Sequence, residues 1–122
     1  MENDPYCDRL GIDLLEVAPG RAVTELTVDE GLLNFHGTPH GGAVYSLADA
    51  AFAAASNSHG ETAVALETNV SYLEAVDVGT TLTATAEETH LTRRTAEYEV
   101  VVTAPDGDRV ATFRGRVYRV GD

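Results

Sequence analysis

At 122 residues, the chain has the length of one ordinary domain, spanning residues 1–122, and not of two comfortable ones. Twenty acidic residues against eight basic ones give a formal charge of -12, which would repel phosphate backbones and anionic lipid surfaces, so neither nucleic acid nor a membrane is an expected partner. A 43% hydrophobic composition without the ~18 consecutive apolar residues that a spanning helix needs excludes the transmembrane class.

The opening Met1-Glu2-Asn3-Asp4 lacks the basic stretch and apolar run of a secretory signal, so a cytoplasmic location is expected. The single Cys7 has no second cysteine for an intramolecular disulfide and reads as an incidental residue near the terminus. Residues 11–17 and 21–28 are rich in β-branched and aliphatic side chains around Ala18-Pro19-Gly20, a turn signal, and predict a first hairpin. From Gly41 to about Asn57 the chain turns to alanine, leucine and other helix formers, and Gly60 follows as a stop. This predicts one long helix, and its many alanines imply close packing around it. Residues 63–73, 80–90, 95–103 and 109–120 then read as strands, with Val64, Leu66, Thr68, Val70 and Tyr72 expected on one side and Pro105-Asp106-Gly107 as a turn. The order β-β-α-β-β-β-β predicts an α+β fold in which an antiparallel sheet curls around the helix. Such a sheet leaves an edge and some apolar surface open, so self-association is expected.

Chemistry is concentrated in Asn34-Phe35-His36-Gly37-Thr38-Pro39-His40-Gly41-Gly42 and the helix that follows. Gly41 and Gly42 at a helix start offer unpaired N–H groups to a ligand, a plausible oxyanion site. Asp49 lies two turns in among Leu47, Ala48, Ala50 and Ala51, and no arginine occurs between Arg21 and Arg93 to neutralise it. Either it faces solvent or bonds a neighbouring hydroxyl, or burial without a partner raises its pKa. His36 and His40 have four-residue spacing, but Gly37 and Pro39 break the helix a zinc pair would need, so no metal is expected. No Gly-x-Ser-x-Gly elbow, phosphate loop or dinucleotide fingerprint occurs, and no cofactor is expected.

Asn34, His40-Gly41-Gly42 and Asp49 nine positions after the histidine, together with the run from Ser46 to Ala51 and Asn57, resemble the phenylacetate-pathway (PaaI-type) thioesterases of the hotdog superfamily. The resemblance runs from about Leu10 to Gly115. It implies a hotdog fold and hydrolysis of acyl-CoA, with phenylacetyl-CoA or its hydroxylated forms favoured. It also implies a homodimer or dimer of dimers whose active site lies between subunits. The Gly41 N–H would hold the thioester carbonyl, with Gly42 near and Asn34 assisting. Asp49, supplied across the interface, would act as general base or nucleophile. His40 would orient the loop, and Arg93 and Arg94 would meet the coenzyme A phosphates. Relatives often place Ser or Thr after the helix to orient water, where this chain has Ala63 and Ala65; Thr68 is the available substitute. Two other readings keep the fold: a hotdog enoyl-CoA hydratase or dehydratase, and a non-catalytic acyl-CoA binding module. All eight basic residues are arginine, and the absence of lysine beside so many carboxylates predicts a surface adapted to high salt.

Overall fold

The computed structural model describes residues 3–120. The elements run α1 (Pro5–Leu10), β1 (Asp13–Ala18), β2 (Arg21–Thr27), a short 3-10 turn (Glu30–Leu32), α2 (Gly41–Ser56), β3 (Ala63–Tyr72), β4 (Thr81–Leu91), β5 (Thr95–Thr103) and β6 (Arg109–Arg119). The six strands form one antiparallel sheet in the order β1-β2-β4-β5-β6-β3. Every second residue of the central strands turns toward α2: Ala22, Thr24 and Leu26 of β2, Leu82, Ala84 and Ala86 of β4, and Tyr98, Val100 and Val102 of β5 are buried. The α+β hotdog arrangement expected from the sequence is therefore present.

The alanines of α2 let it lie close to the sheet. Ala48, Ala51 and Ala55 are fully buried with Leu47, and the Thr24 hydroxyl donates to the Leu47 carbonyl at 3.0 Å. Phe52 meets Tyr98 and Phe113 with ring centroids 5.9 and 5.5 Å apart. Its ring also lies flush on Gly115 of β6, where a Cβ would stand 2.5 Å from two ring carbons.

Three features depart from the expected pattern. The first is α1, a helix not anticipated. Asp4 caps it by accepting from the Cys7 N–H at 3.0 Å, Pro5 occupies its first turn, and Gly11 closes it in the left-handed conformation at φ 80. Only six residues long, it carries no helical repeat to detect. Second, Cys7 is not incidental: it is 4% exposed in the core, and burial pushes its thiol up to about 11. Third, β3 carries a bulge between Ala65 and Glu67. Upstream of it Val64 pairs with the outward Tyr118, whereas downstream Thr68, Val70 and Tyr72 pair with the inward Gly115, Phe113 and Ala111. The extra residue, Leu66, breaks the continuous face expected from Val64 to Tyr72.

The far end of α2 is anchored by polar groups. Tyr98, 1% exposed, donates its hydroxyl to Glu88 Oε2 at 2.7 Å, and His59 Nε2 lies 2.7 Å from the same oxygen. The Ser58 hydroxyl accepts from the Gly20 N–H at 2.8 Å, tying this end to the first hairpin. Among the described residues, no helix is long and apolar enough to cross a membrane, and no cluster of His, Cys, Asp and Glu is arranged to hold a metal ion.

The contact of Phe52 with Gly115 leaves no volume for a methyl group. Gly115→Ala is expected to cost roughly 1–3 kcal/mol through overpacking, read as a lower urea midpoint with the slope unchanged.

Candidate active site

The loop before α2 is closed by its own asparagine. Asn34 N–H donates to the Thr38 carbonyl at 2.8 Å, and the Gly37 N–H donates back to the Asn34 carbonyl at 3.0 Å, with Gly37 at φ 79. A bridge from Leu33 to Pro39 and a 2.8 Å bond from the His40 N–H to the Leu32 carbonyl complete the hairpin-like excursion. Asn34 Oδ1 accepts from the His36 N–H at 2.9 Å, the Thr38 N–H at 3.2 Å and the Thr38 hydroxyl at 3.1 Å. Two of these donors are backbone amides, so the amide orientation is forced: the oxygen faces the loop, and the Nδ2 hydrogens face away without an acceptor among the described residues. Asn34 is thus a donor held in reserve.

His40 is the N-cap of α2. Its Nδ1 accepts from the Gly42 N–H at 2.8 Å, which requires the ring proton to sit on Nε2. The Ala43 N–H donates to the His40 carbonyl at 3.0 Å. Of the two glycine amides expected to serve an oxyanion, Gly42's is therefore satisfied by His40, and Gly41's remains without an acceptor among the described residues. Both positions are tight for a side chain. A Cβ on Gly41 would lie 3.2 Å from the Tyr72 ring, and one on Gly42 would lie 2.9 Å from His40 Nδ1. Tyr72 also donates its hydroxyl to the Gly41 carbonyl at 3.0 Å. Cavities open on both sides of this helix start. One of about 380 Å³ is walled by Thr38, Pro39, Gly41, Val44 and Tyr72, and one of about 260 Å³ by Tyr6, Leu10, Leu32, Leu33, His40 and Gly42.

Asp49 lies on the incompletely covered stripe of α2, with Gly42, Tyr45 and Ala53. It is half-buried and makes no hydrogen bond or ion pair with any described residue. Burial raises its pKa, and the Asp4 carboxylate of α1 raises it further. Among the described residues it bonds no neighbouring hydroxyl, and it is neither fully exposed nor fully buried. Tyr45, one turn earlier, touches Thr68 of β3 through a 2.6 Å hydroxyl pair, so the stripe borders the edge strand.

The expected site residues do not converge within one chain. Asp49 is eight residues past Gly41 on the same helix, a separation of about 12 Å along its axis. Arg93 and Arg94 occupy the β4–β5 turn, where the Arg94 N-η group donates to the Tyr118 hydroxyl at 3.4 Å and the Arg94 carbonyl accepts from the Arg119 N–H. Arg119 pairs with Ala63, the first residue of β3, whereas Tyr72 at the other end of β3 touches Gly41. The ten-residue strand therefore puts about 30 Å between the arginines and the glycine. Tyr6, Tyr45 and Tyr72 are the site-adjacent residues the sequence reading passed over. None carries a spacing signal, since each reaches the site from a different element.

Because the folded-state pKa of Asp49 lies above its unfolded value, the folded chain holds that proton more tightly. Stability then falls as pH rises through the interval between the two values and stays lower above it. Asp49→Asn removes the penalty, so its thermal midpoint is expected to exceed the parent's at pH 7 and to converge with it in acid, as measured by calorimetry across pH.

The sequence profile of the thioesterase superfamily matches residues 36–111. Over 120 residues the chain is 42% identical to the acyl-coenzyme A thioesterase PaaI of Escherichia coli, covering 98% of this chain and 86% of that protein. The structure of the Escherichia coli PaaI protein superposes with a TM-score of 0.94 over 98% of this chain and 87% of that one. A mutant form of the phenylacetic acid degradation protein PaaI of Thermus thermophilus matches at 45% identity and TM-score 0.92, covering 96% and 100%. A Streptococcus mutans protein bound to acetyl CoA matches at 28% identity and TM-score 0.86, covering 91% and 90%. With its helix-start glycines, its unpaired helical acid and this degree of likeness, the chain belongs to the thioesterase superfamily as a PaaI-type thioester hydrolase of hotdog fold.

Proposed function

We propose that this protein hydrolyses acyl-CoA thioesters, with phenylacetyl-CoA and its hydroxylated forms favoured, at sites shared between two copies of the chain. One observation carries the shared site: an oxyanion donor without an acceptor and an acid without a partner stand about 12 Å apart on one helix, too far to act on a single carbon. β3 is a sheet edge, and it exposes Val64, Leu66 and Tyr72. Two copies paired antiparallel along it would reverse their ends. The Ala63 end of one, with Arg93 and Arg94, would then lie near the Tyr72 end and Gly41 of the other, and the Asp49 stripes would face across the same boundary. Arg93, without an ion-pair partner among the described residues, is free to meet a phosphate. The names of the Escherichia coli relative and the acetyl CoA of the Streptococcus mutans structure support coenzyme A as the carrier.

In this reading the thioester carbonyl oxygen accepts from the Gly41 N–H and from Asn34 Nδ2, whose other face is spoken for by the loop. The negative charge that develops there during attack meets donors already in place. Asp49 of the partner subunit, its basicity raised by burial, takes a proton from water as hydroxide adds to the carbonyl carbon. The carbon–sulfur bond then breaks, the proton taken up by Asp49 passes to the departing sulfur, and coenzyme A leaves as the thiol. Direct attack by the carboxylate through a mixed anhydride is the other route. Thr68, bonded to Tyr45 beside the stripe, is placed to hold the water. His40 is a structural cap. The domain as a whole would associate as a dimer or as a dimer of dimers, in the cytoplasm.

A thiol-release assay over aryl and aliphatic acyl-CoAs tests the reaction. Asp49→Asn is expected to lower kcat by about 10²–10⁴-fold, and Asn34→Asp, which sets an oxygen where the donor stood, by about 10²–10³-fold. Mixing the two inactive variants under exchange conditions is expected to restore about a quarter of parental activity, because half the dimers are hybrids with one intact site of two. A mixture no more active than its components would rule out the shared site.

The all-arginine, carboxylate-rich composition gives a separate expectation. Screening of a net charge of -12 should raise the urea midpoint steadily from dilute buffer to molar sodium chloride, and a salt-independent midpoint would contradict a high-salt habitat.

A further inference from the structure

Helix α1 adds nothing to the sheet, yet it is held to α2 next to the proposed catalytic acid. Tyr6 Oη lies 2.8 Å from Ser46 Oγ, the only partner either hydroxyl has among the described residues. Ser46 is buried and precedes Asp49 by three positions, so the two side chains are neighbours along α2. Cys7, the next residue of α1, sits in the core within electrostatic reach of Asp49. Asp4, fixed as the α1 cap by its bond to the Cys7 N–H, acts on Asp49 from the same side. The Tyr6 ring meanwhile walls the smaller cavity at the α2 start, beside His40 and Gly42.

We propose that Tyr6 is a positioning residue for Asp49: through Ser46 its hydroxyl clasps α1 onto α2 and holds Asp4 and Cys7 beside the carboxylate. The catalytic meaning of the clasp rests on the reading of Asp49 as the acid of thioester hydrolysis. Among the described residues, the titratable groups coupled to Asp49 come from α1 and its cap, namely Cys7 and Asp4. On its other flank stands the uncharged Tyr45–Thr68 hydroxyl pair. Beneath α2 the inward residues Ala22, Thr24, Leu26, Leu82, Ala84 and Ala86 carry no charge. The electrostatic surroundings of the carboxylate therefore depend on α1 staying down. Without the Tyr6 hydroxyl, Ser46 can turn back to the carbonyl four residues before it, as helical serines do, and α1 loses its polar tether.

The test uses Tyr6→Phe, which keeps the ring and the cavity wall, together with Ser46→Ala and the double variant, all in the full-length protein. The titration midpoint of the Asp49 carboxyl carbon, followed by NMR, is expected to move down toward that of an ordinary aspartate in each single variant and no further in the double. The acid limb of the kcat profile should move the same way, with kcat at neutral pH falling roughly three- to tenfold and KM unchanged because the ring remains. A staple without influence on Asp49 would instead lower the melting temperature while leaving the Asp49 midpoint and the acid limb in place, and that result overturns the proposal. The two readings fail separately. The NMR midpoint decides the clasp whatever the rate, whereas an Asp49→Asn variant of undiminished activity would remove the hydrolytic role and leave the electrostatic coupling to be judged on the titration alone.

Discussion

A helix faced with alanine can approach a β-sheet more closely than one faced with larger side chains, and the nearness of α2 to its sheet sets the rest of this structure. Ala48, Ala51 and Ala55 allow the approach, and Gly115 accepts the Phe52 ring where any side chain would collide. Six strands wrap most of the helix, leaving incompletely covered a stripe through Gly42, Tyr45, Asp49 and Ala53, with Gly41 and Ala54 beside it. The groups with unused chemistry lie on that stripe or at its end. The sheet thus selects, by geometry, which few positions of a mostly apolar helix stay incompletely covered.

Two carboxylates illustrate how differently the same fold treats an acid. Burial disfavours the charge of both. At Glu88 the hydrogen bonds from Tyr98 and His59 outweigh that burial and hold the carboxyl below its ordinary range. At Asp49 nothing compensates, and the nearby Asp4 adds to the penalty. The first arrangement fastens the end of α2 to the sheet. The second leaves a carboxyl short of partners, its pKa raised above the ordinary value by burial.

Much of this was legible in the residues. The alanine-rich run predicted α2 to within a residue at its end, and alternation predicted each strand to within two residues at either end. Asp49 could be singled out because a charge among alanines and leucines, far in sequence from any arginine, has no cheap explanation. What could not be read came from contacts between distant segments. The Asp4-Pro5 start and Gly11 stop of α1 are visible in retrospect, but six residues are too few for periodicity. Nothing in the run of two glycines says that the ring of His40 takes one amide and leaves the other, since that depends on the side chain turning forward over the helix start. The tyrosines at positions 6, 45 and 72 converge on α2 from α1, from the helix itself and from β3, and no linear pattern links them.

The extra residue in β3 also bears on the pairing proposed along this edge. A uniform edge strand would accept an added strand at many offsets, each two residues from the next and nearly equal in energy. Here the inside-outside phase inverts at Leu66, so the edge has a landmark. A newcomer sliding by one repeat would set its own inversion against a regular stretch and bring mismatched faces together. In the pairing proposed above, the irregularity would work as a detent against slippage, favouring one alignment among the many that backbone hydrogen bonding alone would tolerate.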